Sequence, residues 1–176
     1  MDNSSLKAAL RGIPDFPKPG ILFWDITPIL ADPKLLRQAV TTMIEPYRSK
    51  KIKYVAAIDA RGFIFGGAAA MELGAGFIPI RKTGKLPYKT VEETYDLEYG
   101  SSTLAVHMDA VEPGSSVLLM DDLLATGGTA VAAVRLLEKL GGKVVGVEFL
   151  VELAGLKGRE KLPGYSVRAA VTLGGS

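Results

Sequence analysis

The sequence predicts an α/β fold, with a central, mainly parallel sheet flanked by helices. Three observations predict it. Short apolar runs suited to buried strands recur at residues 54–58, 77–80, 117–120 and 143–150. Helical patterns stand between them at 63–73 and 129–140. The 176 residues, 48% of them apolar, suit one compact domain with a sizeable core. Strands alternating with helices imply parallel pairing, with ligands received at the C-terminal strand ends.

Taken in order, a short helix is predicted at about residues 5–11. A Pro- and Gly-rich stretch, 13–20, interrupts regular structure before the apolar 21–25. Asp32-Pro33 opens a helix, because the acid can accept its first free N–H groups and the proline sits where no N–H is needed. That helix runs to about residue 48, with a bend at Pro46. Residues 54–58 form a buried strand, Asp59-Ala60-Arg61-Gly62 the turn after it, 63–73 a helix and 77–80 the next strand. Residues 81–94 are polar, broken by Gly84 and Pro87, and carry Arg81, Lys82, Lys85 and Lys89. They read as a mobile loop over a functional site. Strands follow at 94–99, 103–108 and 117–120. The helix at 129–140 aligns Val131, Val134 and Leu137 on one face, and a strand at 143–150 follows it. With no internal repeat and no boundary, residues 1–176 read as a single domain.

Composition excludes several functions. A net charge of +2 provides no strong basic field, so no nucleic-acid partner is expected. The absence of cysteine removes thiol catalysis, disulfides and cysteine-bound zinc, and fits a reducing compartment. Met1-Asp2-Asn3-Ser4-Ser5 lacks the basic and apolar regions of a secretory signal, and no apolar run reaches the ~18 residues of a membrane span. A cytoplasmic protein with no membrane partner is expected. One histidine, His107, and no Gly-x-Ser-x-Gly exclude a hydrolase triad. No cluster suggests a metal cage made by the protein alone.

The richest stretch runs from Val117 to Thr129. An apolar strand ends in Asp121-Asp122, and Ala125-Thr126-Gly127-Gly128-Thr129 leads into a helix. The glycines tolerate positive φ and let an anion approach the backbone N–H groups. The helix N-terminus adds partial positive charge, and the two threonines add hydroxyl donors. The carboxylates repel a phosphate but accept hydrogen bonds from sugar hydroxyls. An anion seat beside paired acids fits a ribose 5-phosphate. The stretch is not a Walker A loop, because no Gly-Lys-Ser/Thr follows.

This stretch resembles the phosphoribosyl-diphosphate signature of the type I phosphoribosyltransferases. Further along the chain, residues 16–28 around Leu22-Phe23-Trp24-Asp25, Asp59-Ala60-Arg61-Gly62, residues 81–87, Leu97-Glu98-Tyr99-Gly100 and residues 153–160 are similar to the adenine phosphoribosyltransferase family, in the family's order. The resemblance implies the type I phosphoribosyltransferase fold, with a small hood contributed by about residues 1–32 and a mobile loop. It implies transfer of phosphoribosyl to adenine, giving AMP and pyrophosphate. Asp121, Asp122, Ala125, Thr126, Gly127, Gly128 and Thr129 would bind the phosphoribosyl group. Arg61, Arg81 and Lys85 would grip pyrophosphate, Arg81 from the neighbouring subunit of a homodimer. Leu22, Phe23 and Trp24 would bind adenine, Phe23 by stacking. Some members carry arginine in place of Trp24. Glu98 would take the proton that adenine loses, or stabilise charge forming on the base. Magnesium (Mg2+) would be held mainly by the donor's own oxygens. A 6-oxopurine acceptor, and a regulator that binds the donor without catalysis, are the rival readings.

Overall fold

The computed structural model describes residues 2–96 and 100–174. Among these, strands pair in the order β5-β6-β4-β3-β7-β8-β9: Thr90–Asp96, Ser101–His107, Gly76–Lys82, Tyr54–Ile58, Ser116–Leu124, Lys143–Leu153 and Val167–Leu173. The β3–β4, β3–β7, β7–β8 and β8–β9 pairs are parallel. The β4–β6 and β5–β6 pairs are antiparallel, so β5 and β6 form an arm at one edge. A separate small sheet pairs β1 (Arg11–Ile13) with β2 (Phe23–Asp25). The helices are α1 (Ser4–Ala9), α2 (Thr27–Ala31), α3 (Pro33–Ile44), α4 (Gly62–Leu73) and α5 (Gly128–Lys139).

Strand alternation divides the core between the two faces of the sheet. Leu118 and Met120 of β7 pack with Leu6, Met43, Ile44 and Phe65 from α1, α3 and α4. Val117 and Leu119 turn the other way, toward Val134 and Leu137 of α5 and Phe149 of β8. Helix α4 lies close on β3 because Gly66 has no side chain; a Cβ there would stand 2.5 Å from the Ala57 Cβ. Helix α3 starts as its sequence predicts, with Asp32 Oδ1 accepting from the N–H of Lys34 (2.7 Å) and Leu35 (3.2 Å), ahead of Pro33.

The structure departs from the sequence reading at several places. Strand β7 continues four residues past Met120, because β8 keeps pairing alongside it as far as Leu124 opposite Glu152. Asp121 and Asp122 therefore stand within a strand and not after it. Half of the segment predicted as an 81–94 loop is strand: β4 runs through Lys82 and β5 begins at Thr90, leaving 83–89 as the connection. Its polarity reflects the alternating exposure of an antiparallel strand with one wet face. The helix predicted to reach residue 48 stops at Ile44 and tightens into a 3₁₀ turn at Glu45–Tyr47, where Pro46 lacks a donor. Strands β1, β2 and β9 and helix α2 have no counterpart among the predicted elements.

Candidate active site

The site collects at the C-terminal ends of β3 and β7. The turn after β3 carries Asp59, Ala60 and Arg61 into the start of α4. Gly62 allows the close approach of β7: a Cβ there would lie 2.7 Å from Asp121 Oδ1. Asp121 Oδ1 accepts the N–H of Asp122 at 2.9 Å. Burial, and next the charge of Asp122, push the Asp121 carboxyl well above the usual carboxylate range, while Arg61 pulls it down.

Arg61 joins the two halves of the site. Its Nε stands 2.7 Å from Asp122 Oδ2, and its guanidinium carbon lies 5.5 Å from the centroid of the Phe23 ring. The ion-pair contact lacks the direction of a hydrogen bond, so the buried Oδ2 of Asp122 receives none among the described residues. A cleft of about 290 Å³ opens here, lined by Asp59, Arg61, Lys82, Asp121, Asp122 and Thr129.

Beyond it lies a hollow of about 80 Å³ between the end of β7 and the start of α5, lined by Asp121, Ala125, Thr126, Gly127 and Thr129. Gly127 is the N-cap of α5 with φ +82°, a left-handed conformation that glycine adopts without steric cost. No side chain caps this helix, so its first N–H groups remain available to an anion. Gly128 packs under the arm, where a Cβ would meet Asp96 O at 3.3 Å and the Tyr95 ring at 3.4 Å. Thr129 Oγ1 donates to the Tyr95 hydroxyl at 3.2 Å.

At the other end, Phe23 lies on β2, half-buried, in edge-to-face contact with Phe16 (centroids 5.1 Å apart). Leu22 is exposed. Trp24 packs partly into the core, and both side chains crowd Gly12, where a Cβ would approach Leu22 Cδ1 to 3.3 Å and the Trp24 ring to 3.5 Å. Of the three, Phe23 alone has its ring against Arg61. Behind this hairpin the buried Asp25 accepts from Thr27 and Arg11. The Thr27 N–H foremost, then Arg11, hold its carboxyl down at about 2.

Arg81 Nε pairs with Asp59 Oδ2 of the same chain at 2.7 Å, and Arg81 also donates to the Lys85 carbonyl at 3.1 Å. The Lys85 side chain is exposed on the 83–89 connection. Glu98 lies outside the described residues, together with Leu97 and Tyr99. Lys82 and Tyr95 join the site without having been assigned a role by the sequence reading, which also did not foresee that Asp59 and Arg81 pair. The run of basic residues from 81 marked the first of these, but the pairings are tertiary and leave no local signal. Among the described residues no group of three or more His, Asp or Glu could hold a metal ion. No helix there is long and apolar enough to cross a membrane. An apolar groove of about 350 Å³ between α3 and α4 carries none of these groups.

The family described as "Phosphoribosyl transferase domain" matches residues 26–168, a span that includes β3, β7, the 125–129 loop and α5. The adenine phosphoribosyltransferase of Thermobifida fusca is 54% identical over 164 residues, covering 93% of each chain. The crystal structure of adenine phosphoribosyltransferase from Rhodothermus marinus superposes with a TM-score of 0.93 at 53% identity, over 97% of each chain. The Saccharomyces cerevisiae enzyme, solved with adenine and an imino-altritol bisphosphate, gives 0.90 at 40% identity, over 95% of this chain and 97% of that one. An anion loop next to paired acids, on a sheet this similar over nearly its whole length, leaves one assignment: the chain belongs to the adenine phosphoribosyltransferase family.

Proposed function

We propose that this chain transfers the 5-phosphoribosyl group from phosphoribosyl diphosphate to adenine, giving AMP and pyrophosphate, a purine-salvage reaction. The observation that carries this reading is Arg61, set between the Phe23 ring and the Asp121–Asp122 pair. Base site, sugar site and leaving-group site then share one residue.

In this reading the backbone N–H groups of Ala125, Thr126, Gly127 and Gly128 and the hydroxyl of Thr129 hold the 5′-phosphate. Asp121 and Asp122 bind the ribose hydroxyls. Arg61, with Arg81 and Lys85, draws negative charge onto the departing pyrophosphate. Phe23 stacks on the purine, and backbone groups of Leu22 to Trp24 meet its polar edge. The bond from C1 to the pyrophosphate oxygen breaks as the bond to N9 forms, and Glu98 accepts the proton that adenine gives up. The carboxylate oxygens of Asp121 and Asp122, the latter with Oδ2 lacking a hydrogen-bond donor, fit a hard cation held mainly by the donor's oxygens. Magnesium, when bound, offsets charge on the pyrophosphate. The reading also takes the protein as a cytoplasmic homodimer in which Arg81 serves the neighbouring site.

The deciding experiment is a steady-state assay with phosphoribosyl diphosphate, magnesium and a panel of free purines and pyrimidines. Adenine should show the highest kcat/KM. A higher value for guanine or hypoxanthine would overturn the base assignment.

A further inference from the structure

We propose that Arg159 is a positioning residue for the phosphate loop, acting through Gly158 on the backbone of Ala125 and Gly127. The inference rests on the phosphoribosyl reading above and extends it to a segment, residues 154–161, outside the residues assigned to the substrates.

The 125–129 loop bends through a left-handed glycine and leads into a helix that no side chain caps, so its shape is not fixed from within by a cap. It is held from outside, with the arm on one side at Tyr95 and Asp96. The segment after β8 stands on the other. Gly158 is buried there, backbone against backbone. A Cβ on Gly158 would lie 2.2 Å from Ala125 O and 2.9 Å from Gly127 N, and a Cβ on Gly127 would lie 2.4 Å from Gly158 O. Contacts this close require glycine at both positions. They also fix the loop: any retreat of residue 158 leaves Ala125 and Gly127 without a wall on that side.

Arg159 is what prevents that retreat. Its Nε and Nη2 grip both carboxylate oxygens of Glu152, at 3.0 and 2.5 Å, and Nη1 donates to the carbonyl of Val167. Glu152 is 6% exposed and pairs in register with Leu124, the residue immediately before the phosphate loop. The clamp therefore ties the 154–161 segment to β8 and β9 beside the point where β7 becomes the loop. Leu162, buried just beyond, anchors the segment's far end. A planar guanidinium suits this task because its fork spans a carboxylate and still reaches a carbonyl; a lysine ammonium cannot cover both at once.

The test compares AMP with adenosine, which differ only in the 5′-phosphate. Binding of each is measured by calorimetry for wild type, Arg159→Ala, Arg159→Lys and Gly158→Ala, with inorganic pyrophosphate as a third probe. Arg159→Ala should lower the preference for AMP over adenosine about tenfold or more, on the scale of one charge-assisted hydrogen bond. Adenosine and pyrophosphate affinities should stay within about twofold. In the assay, KM for the phosphoribosyl donor should rise while KM for adenine at saturating donor holds. Arg159→Lys should recover part of the preference, and Gly158→Ala should reproduce the loss by pushing the loop directly. Should Arg159→Ala not fold, Arg159→Lys and Glu152→Gln supply the same comparison. An unchanged preference in the folded variants, or an equal fall for AMP and adenosine, overturns the positioning role. A wild type that binds AMP no better than adenosine overturns this inference and the phosphate seat together. A wild type that prefers AMP but does not use adenine as acceptor overturns only the proposed reaction.

Discussion

Replacing Arg61 with alanine tests the link between the base end and the phosphate end of the site. The substitution removes a guanidinium 2.7 Å from a carboxylate oxygen and 5.5 Å from an aromatic centroid. Asp122 is only 6% exposed, and its neighbour Asp121 already resists ionisation. Breaking a fully buried ion pair costs about 3–5 kcal/mol. The Arg61 side chain keeps 37% of its exposure, so solvent screens part of the attraction and about 1–3 kcal/mol is the expected loss of stability. The clean measurement is a double-mutant cycle of Arg61→Ala with Asp122→Asn by urea denaturation. Asparagine keeps the size and removes the charge, so Arg61→Ala should cost at least about 1 kcal/mol less in that background. The same variant should lose about 10- to 100-fold in kcat/KM for the donor, the scale of one charge-assisted hydrogen bond to pyrophosphate. A coupling below about 0.5 kcal/mol, which distant sites show anyway, would refute the ion pair as an energetic contact. An unchanged kcat/KM would refute the grip on pyrophosphate.

Three further outcomes are expected. Thr129→Val removes a donor from the phosphate seat and also its hydrogen bond to Tyr95, so KM for the donor should rise on the order of tenfold, and an unchanged KM in the folded variant counts against Thr129 as a ligand. Glu148, 2% exposed beneath the Tyr47 hydroxyl (2.9 Å) and beside Arg168 (3.2 Å), has its carboxyl pushed by burial from 4.5 up to about 7. Between those values the native chain holds a proton that the unfolded chain has lost, so this group's contribution falls as pH rises from 4.5 to 7. The full swing is about 3 kcal/mol, and Glu148→Gln should flatten it in pH-dependent urea titrations. Glu98→Gln should slow the chemical step about 10²–10⁴-fold in single-turnover measurement, and heterodimers of an Arg81→Ala chain with a Glu98→Gln chain should regain activity if Arg81 acts across the interface. A chemical step within about threefold of wild type, or no recovery in verified heterodimers, decides against these roles.

What was legible in the sequence was local. The Ala125–Thr129 loop, the Asp59–Gly62 turn and the Asp32-Pro33 start of α3 are each written in a few consecutive residues whose chemistry dictates their shape. The errors came where distant partners decide. Nothing before Asp121 announces that β7 continues to Leu124; the ladder offered by β8 extends it. Residues 90–94 look like a loop because β5 keeps one wet face at the sheet edge. The three-residue strands β1 and β2 are too short for periodicity to register, and a glycine- and proline-rich stretch separates them. The ion pairs Arg61–Asp122, Asp59–Arg81 and Glu152–Arg159 exist only once strands and turns have met. Glu148 sits in the apolar run 144–151, and only the structure reveals Tyr47 reaching over Gly146 to it, where a Cβ would stand 2.1 Å from the Tyr47 hydroxyl.

An open sheet always leaves two strands with one flank unpaired, and each is a template on which another molecule can polymerise. Here β5 is one of them, and its exposed positions are Glu92, Thr94 and Asp96. Two copies meeting flank to flank would bring these carboxylates together at strand spacing, where like charges repel. The third acid, Glu93, turns inward and is held ionised by Lys139 and then Arg135 on α5, which fastens the strand to its own helix and away from a foreign one. The colloidal safety of this flank therefore depends on charge. High salt, which screens these charges, would lower the barrier to fibre-like association along this flank.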